Sequence, residues 1–546
     1  MGKLWKRLLA VTTAAAMLLA VGFAAAPAGM VQAAENSYEG DLVVIHTNDI
    51  HGHFDTVEGE QLGMAAVAGL KQYYEAKGAD VLLLDAGDFS QGTTLVSYFD
   101  GGSAVLFMNA AGYNAASLGN HEFDFGFEEL QVMAALADFP ILDANILDKE
   151  TGKPYFGDNA VFTFDNRKVG VFGLDTAEAQ TKASPKNVKD ITILDGQELY
   201  DCAQEQVNTL KAQGCDFIIC LGHLGVDDES IGRRSLDVAA NTTGIDLFID
   251  GHSHTEMDGG VVVNGTTITS TGSYLANIGV VICDGETKTL KASLVKAADY
   301  KGSYDAGVEN FVKAHQDIVD AAYSGLFANA EVDLNGEREP GVRTEETNLG
   351  DFAADAYLYA AQQYMGESVK VDGAIQNGGG VRASIPAGPI SMNTLYTVFP
   401  FGNSVSVVKV TGAQLLEALE ASCSAAPSAL GGFPQVSGIV FTVNTQVPYV
   451  NGMQYPDSTY FAPAAPGSRV TIESVGGRAF DLSDSYYIAV NNFMADGGDT
   501  YYVFTQAEEV IDTGVIDAEG LISYVDSLGG VIGAEYAAPK GNITIQ

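Results

Sequence analysis

Short apolar runs and helical periodicities alternate along the first 300 residues of the chain. Short apolar runs favour buried strands, and apolar residues at every third or fourth position favour helices. The predicted strands are 42–45, 81–84, 115–118, 141–144, 169–173, 217–221, 247–249 and 261–263, and the predicted helices are 63–76 and 126–136. This alternation predicts a layered α/β domain over about residues 41–300.

The pattern changes after residue 300. Residues 303–325 carry apolar side chains at helical spacing and predict an amphipathic helix. Residues 445–467 are rich in Pro, Tyr and Asn, which is typical of an exposed loop. A chain of 546 residues is too long for a single core, so two or three domains are expected, the last of them over 331–546.

Polar, glycine-containing segments follow five of the predicted strands. They are 47–52 (TNDIHG), 85–88 (DAGD), 119–124 (GNHEFD), 222–225 (GHLG) and 251–255 (GHSHT), and they hold five of the eight histidines. Ligands bind at the carboxyl ends of parallel strands. Taken alone, 119–124 is also compatible with a capped turn, but the clustering of histidines indicates a functional site. His46 and His315 lie outside these segments and are expected to be structural.

The Asp, His and Asn side chains of these segments offer a mixed set of oxygen and nitrogen ligands. Such a set suits divalent ions such as Zn, Mn, Co or Ni. The candidates exceed what one tetrahedral ion needs, so we expect a two-metal centre for displacement at phosphorus, with Asp88 as the shared carboxylate. The five cysteines are scattered without a CxxC pattern, which favours buried thiols over a disulfide framework or a cysteine metal site.

Charge and the N-terminal segment narrow the choice of partners. The formal net charge is −42, which argues against nucleic-acid polymers and anionic membranes as partners. Residues 1–34 begin with Lys3, Lys6 and Arg7, continue as an apolar stretch and end near a small-residue site at Ala33. This order predicts a cleaved export signal, although a retained membrane anchor is the alternative. We expect an exported protein that is secreted, cell-wall associated or periplasmic, without a membrane anchor.

The segments TNDIHGH, DAGD, GNHEFDFG, GHLG and GHSHT resemble, in order and spacing, the metallophosphoesterase domain of secreted bacterial 5′-nucleotidases, a family that includes UDP-sugar hydrolases and ecto-5′-nucleotidases. The resemblance implies one metal ion held by Asp49, His51, Asp88 and His254, and another held by Asp88, Asn120, His223 and His252. It also implies that His121, oriented by Asp124, stabilises charge on the transferring phosphoryl group. Many members of the family carry Gln or Asn where His254 stands.

Four segments of the second domain resemble the nucleotide-binding C-terminal domain of the same family. They are 341–351 (GVRTEETNLGD), 377–382 (NGGGVR), 399–403 (FPFGN) and 491–499 (NNFMADGGD). The resemblance implies phosphate contacts by Arg343 and Arg382 with Asn377 nearby, base stacking by Phe401 and Phe493, and a ribose contact by Asp499. Considered singly, each Arg is also compatible with a surface ion pair and each Phe with core packing. Thr500 stands where many members have Gly after GGD.

The resemblance sets expectations for the whole chain. The expected fold is α/β, with a four-layer α/β/β/α metallophosphoesterase domain, a linker helix and a smaller α+β substrate-binding domain. The expected limits are 1–34 for the signal, 35–302 for the catalytic domain, 303–330 for the linker helix and 331–546 for the nucleotide-binding domain. On sequence alone, a core helix explains the linker segment equally well.

The expected activity is that of a 5′-nucleotidase, in which metal-bound hydroxide attacks phosphorus in line. The same frame also supports a 2′,3′-cyclic-nucleotide phosphodiesterase with 3′-nucleotidase activity, or a UDP-sugar or dinucleotide pyrophosphatase. A non-catalytic nucleotide-binding surface protein is an alternative of another class. Zn, Mn or Co are the favoured ions, whereas the sequence leaves the preferred base and the oligomeric state open.

Overall fold

The computed structural model describes residues 37–367 and 369–546, so the predicted signal lies outside the described residues. The chain divides into two compact units. The first comprises residues up to Gln91 with Leu95–Thr176 and Asp190–Val319, and the second comprises Gly92–Thr94, Ala177–Lys189 and Asp320–Gln546. No helix within the described part of the chain has the length and apolar character needed to cross a membrane.

Strands and helices alternate along the first part of the chain. The strands are Leu42–Thr47 (β1), Asp80–Ala86 (β2), Ala115–Ser117 (β3), Ile146–Asp148 (β4), Asn159–Phe164 (β5), Arg167–Asp175 (β6), Ile191–Ile193 (β7), Phe217–His223 (β8), Leu247–Asp250 (β9), Val261–Val263 (β10), Thr266–Thr269 (β11), Asn277–Cys283 (β12) and Leu290–Lys296 (β13). The helices are Gly63–Ala76 (α1), Thr94–Ser97 (α2), Gly102–Ala111 (α3), Phe127–Leu136 (α4), Ala179–Lys182 (α5), Gly196–Ala212 (α6), Ser235–Asn241 (α7) and Ala306–Tyr323 (α8). Short 3-10 turns occur at Asn120–Phe123, Pro185–Asn187, Asp228–Ser230 and Ala297–Asp299.

Two sheets form the framework of the first unit. Their strand orders are β13-β12-β1-β2-β3 and β10-β11-β9-β8-β6-β5. Val44 and Leu82 of one sheet share a buried cluster with Val171 and Ile219 of the other, so the two sheets pack face to face. The opposite face of the six-stranded sheet packs on α6 and α7 through a second cluster that includes Phe172, and α1 packs against β2. This arrangement confirms the predicted four-layer α/β/β/α fold.

The second unit is built on a central five-stranded sheet with the order β18-β15-β24-β17-β25. Its strands are Leu326–Ala330 (β14), Gly373–Asn377 (β15), Gly388–Ser391 (β16), Ser404–Thr411 (β17), Pro434–Ser437 (β18), Ile439–Val443 (β19), Asn451–Gln454 (β20), Phe461–Pro463 (β21), Val470–Val475 (β22), Arg478–Ala479 (β23), Ser485–Asn491 (β24), Glu509–Ile516 (β25), Val531–Ile532 (β26) and Ile543–Ile545 (β27). The helices are Asn348–Met365 (α9), Met392–Val398 (α10), Gly412–Ser422 (α11), Asn492–Ala495 (α12) and Asp517–Ser527 (α13), with 3-10 turns at Gly378–Gly380, Tyr502–Gln506 and Ala534–Tyr536. One face of the sheet packs on α9 and α13, and the other packs on α11, β19 and β22.

Most predicted elements are confirmed, but residues 141–144 do not form the predicted strand. The N–H of Leu142 donates to the carbonyl oxygen of Ala116 in the five-stranded sheet, whereas the N–H of Ala144 donates to that of Gly173 in the six-stranded sheet. The segment therefore crosses from one sheet to the other instead of following one neighbouring strand. Its apolar residues are buried for that reason, and the apolar pattern alone does not distinguish the two cases.

The prediction of an exposed loop over 445–467 is confirmed only in part, since Val450 and Met453 are exposed but the segment is not all loop. The segment contains β20 and β21, which pair as an antiparallel hairpin. Tyr455 and Tyr460 are buried there and join the core cluster that contains Leu416 of α11. The tyrosines that suggested a loop composition instead extend the apolar core of the second unit.

His46 is a buried, neutral histidine in β1. Within the described residues neither of its ring nitrogens has a hydrogen-bond partner. The ring packs on Gly279 of β12, where an added Cβ would lie 2.0 Å from Nε2. Burial lowers the pKa of His46 to about 3 because the charged imidazolium would lose its hydration. His315 is likewise buried, between the rings of Phe107 and Phe311.

The burial of His46 predicts a loss of stability in mild acid. The unfolded chain binds a proton at this residue near pH 6.5, whereas the folded chain binds it only near pH 3. Each pH unit below about 6.5 therefore costs roughly 1.4 kcal/mol. We expect the metal-free His46→Asn variant to lose less thermal stability than the wild type between about pH 6.5 and 5, as measured by calorimetry. Parallel losses in the two proteins would contradict a neutral His46.

Candidate active site

The carboxyl ends of the parallel strands bring the five polar segments to one edge of the sheets. β1, β2 and β3 run parallel in the five-stranded sheet, with Thr47 opposite Asp85. β6, β8 and β9 run parallel in the six-stranded sheet, with Asp175 opposite His223. The segments that follow these strands leave the sheets on the same side, where α/β proteins bind ligands.

Asp49, His51 and His254 form a first group whose ligand atoms all lie within 4.8 Å of one another. The Nε2 atoms of His51 and His254 are 3.1 Å apart, and the Nε2 of His254 is 3.4 Å from Oδ1 of Asp49. The Nδ1 of His51 donates to the carbonyl oxygen of Gln91 at 3.0 Å, which turns Nε2 toward the group. These three side chains can hold a metal ion.

Asp49, Asp88 and His223 form a second group of the same kind. The Nε2 of His223 lies 3.1 Å from Oδ2 of Asp88, and that oxygen also lies 3.6 Å from Nε2 of His51. Asp88 therefore reaches both groups, as a shared carboxylate must. Asp49 is the residue that belongs to both groups, although the family resemblance implied a role for it at the first metal ion alone.

Asn120 and His252, the remaining two candidate ligands, contact each other. The Nδ1 of His252 lies 2.9 Å from Oδ1 of Asn120. The backbone N–H of His252 donates to both carboxylate oxygens of Asp49 at 3.1 Å, and its ring lies 5.2 Å from that of His223. The fold thus gathers all seven candidate ligands, while the ligand atoms of His252 stay outside the two compact groups.

The surroundings of His223 fit a bound cation. Its Nδ1 donates to the carbonyl oxygen of Ala86 at 2.7 Å, so the ring proton is placed on that side. Its fully buried Nε2 makes no hydrogen bond within the described residues, although Oδ2 of Asp88 is 3.1 Å away. At this distance either a proton on Nε2 or a bound cation must lie between the two atoms, because their lone pairs would otherwise repel each other. Nitrogen and carboxylate donors suit a divalent ion in that role.

The pKa values of the buried carboxylates and of His223 are shifted by burial and by each other's charge. Burial raises the pKa of Asp49 to about 6. Burial alone would also raise the pKa of Asp88, but His223, His121 and His51 hold it well below its usual range. Burial alone would lower the pKa of His223, but the Asp88 carboxylate raises it well above its usual range. Asp88 is therefore ionised, and its carboxylate needs a positive partner, which His223 or a cation can provide.

Five of the seven candidate ligand residues have a left-handed backbone. Their φ angles lie between +48° and +74° at Asp49, His51, Asp88, His252 and His254. Such conformations cost on the order of 1–3 kcal/mol for non-glycine residues and accumulate at functional sites. They aim consecutive side chains of short loops at one point.

Gly119 has a steric role beside these residues. An added Cβ would lie 2.4 Å from Oδ1 of Asp88 and 2.8 Å from Cε1 of His223. Any larger residue would therefore push the two ligand side chains apart. The glycine before Asn120 is thus required by close packing of the candidate ligands.

His121 and Asp124 form the pair expected from their spacing. The Nδ1 of His121 lies 2.6 Å from Oδ2 of Asp124. The 3-10 turn Asn120–Phe123 brings the two residues together, and the His121 ring lies 5.2 Å from the ring of His51. The carboxylate favours the proton on Nδ1 and directs Nε2 to the opposite side. That geometry suits a histidine that donates or accepts a proton beside the first group.

The structure adds residues that the sequence analysis did not single out. The Nδ2 of Asn48 donates to Oδ2 of Asp49 at 2.6 Å. The ring of Tyr274 lies 5.7 Å from that of His51 and 5.5 Å from that of His254. Asn48 stands inside the first motif, so its position in the sequence could have indicated a role beside the candidate ligands. Tyr274 lies outside every motif and gave none.

Several predicted nucleotide-binding residues of the second unit contact one another. The Nδ2 of Asn377 donates to Oδ2 of Asp499 at 2.8 Å, and Oδ1 of Asn377 accepts from Asn491 at 2.9 Å. The guanidinium of Arg382 lies 5.7 Å from the centroid of the Phe401 ring. These contacts order one amide–carboxylate cluster and one cation–aromatic pair.

Phe493 and Arg343 are both half-buried. The Phe493 ring lies against Gly498, where an added Cβ would be 2.3 Å from the ring, and it packs on the core of the second unit. The carbonyl oxygen of Arg343 accepts from the N–H of Leu430, which fixes the backbone there. Core packing therefore accounts for part of the Phe493 surface.

Two family comparisons agree with the fold and the site. Residues 42–256 match the calcineurin-like phosphoesterase family, and residues 327–506 match the 5′-nucleotidase C-terminal domain. Together with the carboxylate–histidine groups, these matches define a metallophosphoesterase, a hydrolase of phosphate esters that depends on divalent metal ions.

Individual relatives narrow the class. A 5′-nucleotidase of Vibrio cholerae is 30% identical over 581 residues, which cover 98% of this chain and 98% of that protein. The trifunctional nucleotide phosphoesterase protein YfkN of Bacillus subtilis is 32% identical over 90% of this chain, but the chain spans only 34% of its length. The crystal structure of a 5′-nucleotidase precursor from Thermus thermophilus superposes with a TM-score of 0.78 at 29% identity, covering 92% of this chain and 99% of that one. The chain belongs to the 5′-nucleotidase family.

Proposed function

We propose that the protein hydrolyses the 5′-phosphate ester of nucleotides with two divalent metal ions. The observation that carries the proposal is the convergence of two ligand groups that share Asp49, with Asp88 in one group and its Oδ2 3.6 Å from His51 of the other, next to the His121–Asp124 pair. The 5′-nucleotidase of Vibrio cholerae, related over nearly its whole length, supports the nucleotide as substrate. The preferred ions are Zn, Mn or Co, because the donor set mixes imidazole nitrogen with carboxylate and amide oxygen.

Two sets of residues would hold the ions. Asp49, His51, Asp88 and His254 would hold one, and Asp88, Asn120, His223 and His252 would hold the other. When bound, two such metal ions polarise the phosphoryl oxygens and supply an activated water for in-line displacement. The orientation of the ligands depends on bonds within the chain, such as that from Nδ1 of His223 to the carbonyl of Ala86.

His121 acts in this proposal on charge that develops during the reaction. Its Nδ1 proton is held by Asp124, so its Nε2 side interacts with the phosphoryl or leaving-group oxygen. A positioned group of this kind contributes more to the transition state than to substrate binding.

The second unit recognises the nucleoside in this proposal. Phe401 and Phe493 stack on the base, Asp499 binds the ribose hydroxyls, and Arg343, Arg382 and Asn377 bind phosphate. The half-exposed rings and the left-handed backbone of Asp499, at φ +49°, are compatible with these roles. The proposed limits of the catalytic domain, linker helix and nucleotide-binding domain remain 35–302, 303–330 and 331–546.

A second candidate activity has one specific support. The relative from Bacillus subtilis is named a trifunctional nucleotide phosphoesterase. That name supports hydrolysis of more than one kind of nucleotide ester, so the alternatives remain cyclic 2′,3′-nucleotides with 3′-nucleotides, or UDP-sugars and dinucleotides, at the same metal centre. A binding protein without catalysis is disfavoured, because every candidate ligand and both members of the histidine–aspartate pair are present.

We also propose that the protein is exported and that its signal is cleaved near Ala33. The support is the charged, apolar and small-residue order of residues 1–34. N-terminal sequencing of the protein recovered outside the cytoplasm should give a chain that starts after Ala33. A chain that keeps the apolar segment and sediments with membranes would overturn this proposal.

Metal removal and readdition test the proposed activity directly. We expect exhaustive chelation to abolish hydrolysis of AMP, and Mn, Co or Zn to restore it, because the ligand groups require cations. A panel of AMP, 3′-AMP, ATP, cyclic 2′,3′-AMP and a UDP-sugar ranks the alternative substrates when the products are separated by chromatography, because opening of the cyclic phosphate or cleavage of the UDP-sugar pyrophosphate releases no inorganic phosphate. Full activity in chelated enzyme would exclude the two-metal centre.

Asp88→Ala is the ligand change expected to cost most, because it disturbs both ion positions. Asp517→Ala is the matched control, since Asp517 is also a buried carboxylate but lies in the second unit. We expect the control to keep its metal content and the Asp88 variant to lose it, as measured by elemental analysis.

A second set of variants should affect kcat and KM separately, according to whether the changed residue acts in turnover or in nucleotide recognition. His121→Ala should lower kcat on the order of 10²–10⁴-fold with little change in KM. Phe401→Ala and Phe493→Ala should mainly raise KM for nucleotides, because stacking contributes roughly 1–3 kcal/mol per base. Neither Phe variant should affect p-nitrophenyl phosphate, which lacks a base.

Phe327→Ala supplies the control for lost packing, since Phe327 is a partly buried ring of the second unit outside the nucleotide-binding set. Equal losses on nucleotide and on p-nitrophenyl phosphate would show that Phe401 and Phe493 are core residues.

A further inference from the structure

Glu122 is a buried carboxylate that is not a candidate ligand itself but bonds to the backbone of the loops that carry Asp88 and Asn120. It is fully excluded from solvent. Its Oε1 accepts from the backbone N–H of Phe89, and from the N–H and the hydroxyl of Ser90, each at 2.9 Å. Its Oε2 accepts from the N–H of Asp88 at 2.8 Å and from the N–H of Gly119 at 2.7 Å. One side chain thus receives five hydrogen bonds.

These bonds join the two loops that carry Asp88 and Asn120. Asp88 follows β2, whereas Gly119 and Glu122 flank Asn120 after β3. A return bond closes the connection, because the N–H of His121 donates to Oδ1 of Asp88 at 2.9 Å. Asp88 is therefore fixed at its backbone by Glu122 and at its side chain by the neighbour of Glu122.

Asp88 needs such fixing more than an ordinary residue does. Its backbone is left-handed, with φ at +59°, and its carboxylate must reach both ligand groups. The three consecutive N–H groups of residues 88–90 all point at Glu122, which holds the loop in this conformation. Without that acceptor, the three donors would be buried and unsatisfied.

We propose that Glu122 is a positioning residue of the metal centre, which sets the affinity for the ions by clamping the Asp88 loop to the Asn120–His121 turn. The inference rests on the proposed metal centre but assigns a residue outside its ligand set. Partners that orient metal ligands typically contribute about 10–100-fold to metal affinity.

The chemistry of the clamp requires a carboxylate rather than an amide. All five groups around Glu122 are donors, and a glutamine can present an acceptor to only one side. With its NH₂ group in the place of Oε2, Glu122→Gln would lose the bonds from Asp88 and Gly119, which join the two loops. With the opposite orientation, it would oppose the N–H groups of Phe89 and Ser90.

The chain offers a matched control in the second unit. Glu420 of α11 is 1% exposed and accepts from the N–H groups of Gly467, Arg469 and Val470 and from the hydroxyl of Ser468. It clamps a loop as Glu122 does, but no candidate ligand lies on that loop. Glu420→Gln should therefore cost stability without changing metal binding.

The test titrates Mn²⁺ into chelated wild type, Glu122→Gln and Glu420→Gln by calorimetry, and measures the Mn²⁺-dependent rise in Tm. We expect both variants to melt earlier than wild type without metal. We expect only Glu122→Gln to bind Mn²⁺ more weakly, by about 10–100-fold, and to show a smaller metal-dependent rise in Tm. Wild-type affinity in Glu122→Gln, or equal weakening in both variants, would overturn the proposal.

Ser90→Ala and Ser468→Ala repeat the comparison with a smaller change, in case Glu122→Gln does not fold. Each removes one hydroxyl bond to its glutamate, at 2.9 Å and 2.7 Å respectively. A loss of Mn²⁺ affinity in Ser90→Ala but not in Ser468→Ala supports the clamp, and equal affinities overturn it. Failure of the wild type itself to bind Mn²⁺ would instead refute the proposed metal centre.

Discussion

The burial of negative charge is the constraint on which the first unit depends. Seven carboxylates that are at most 2% exposed gather at the strand ends, namely Asp49, Asp85, Asp88, Glu122, Asp143, Asp175 and Asp250. Burial raises the pKa of six of them, whereas at Asp88 the neighbouring histidines outweigh burial and hold the pKa low. Buried carboxylates are stable only where N–H donors, protons or cations compensate them. The loops at this edge must therefore turn their N–H groups inward.

The strand-end loops provide that compensation through their backbones. Asp85 accepts from the N–H of Gly87, and Asp250 accepts from the N–H groups of Leu224, Gly225 and Gly251. The bonds from Leu224 and Gly225 also tie the loop after β8 to β9, whereas those from Gly87 and Gly251 are local to their own loops. Charge compensation and ligand placement are thus achieved by the same hydrogen bonds, and the face-to-face sheets supply the rigid base from which they are made.

The sequence predicted the features that depend on local pattern. Helix α1 was placed at its observed bounds, and the candidate ligands were found because each follows an apolar strand. Features that depend on distant partners were not predictable in this way. Glu122 stood inside a motif, but its partners on residues 88–90 lie on another loop, and Tyr274 is brought to the histidines only by folding. The prediction of a strand over residues 141–144 failed for the same reason, since an apolar run does not show which sheet it will join.

The left-handed backbone at the ligand positions has an evolutionary consequence. Asp, Asn and His tolerate positive φ better than other non-glycine residues, and they are also the nitrogen and oxygen ligands of this site. Exchange among these three changes a ligand without adding backbone strain, whereas a β-branched residue would distort the loop. His254, at φ +55°, is one such position. The backbone thus limits these ligand positions to Asp, Asn and His. Exchanges within this set can change the metal preference of the site while the loops keep their shape.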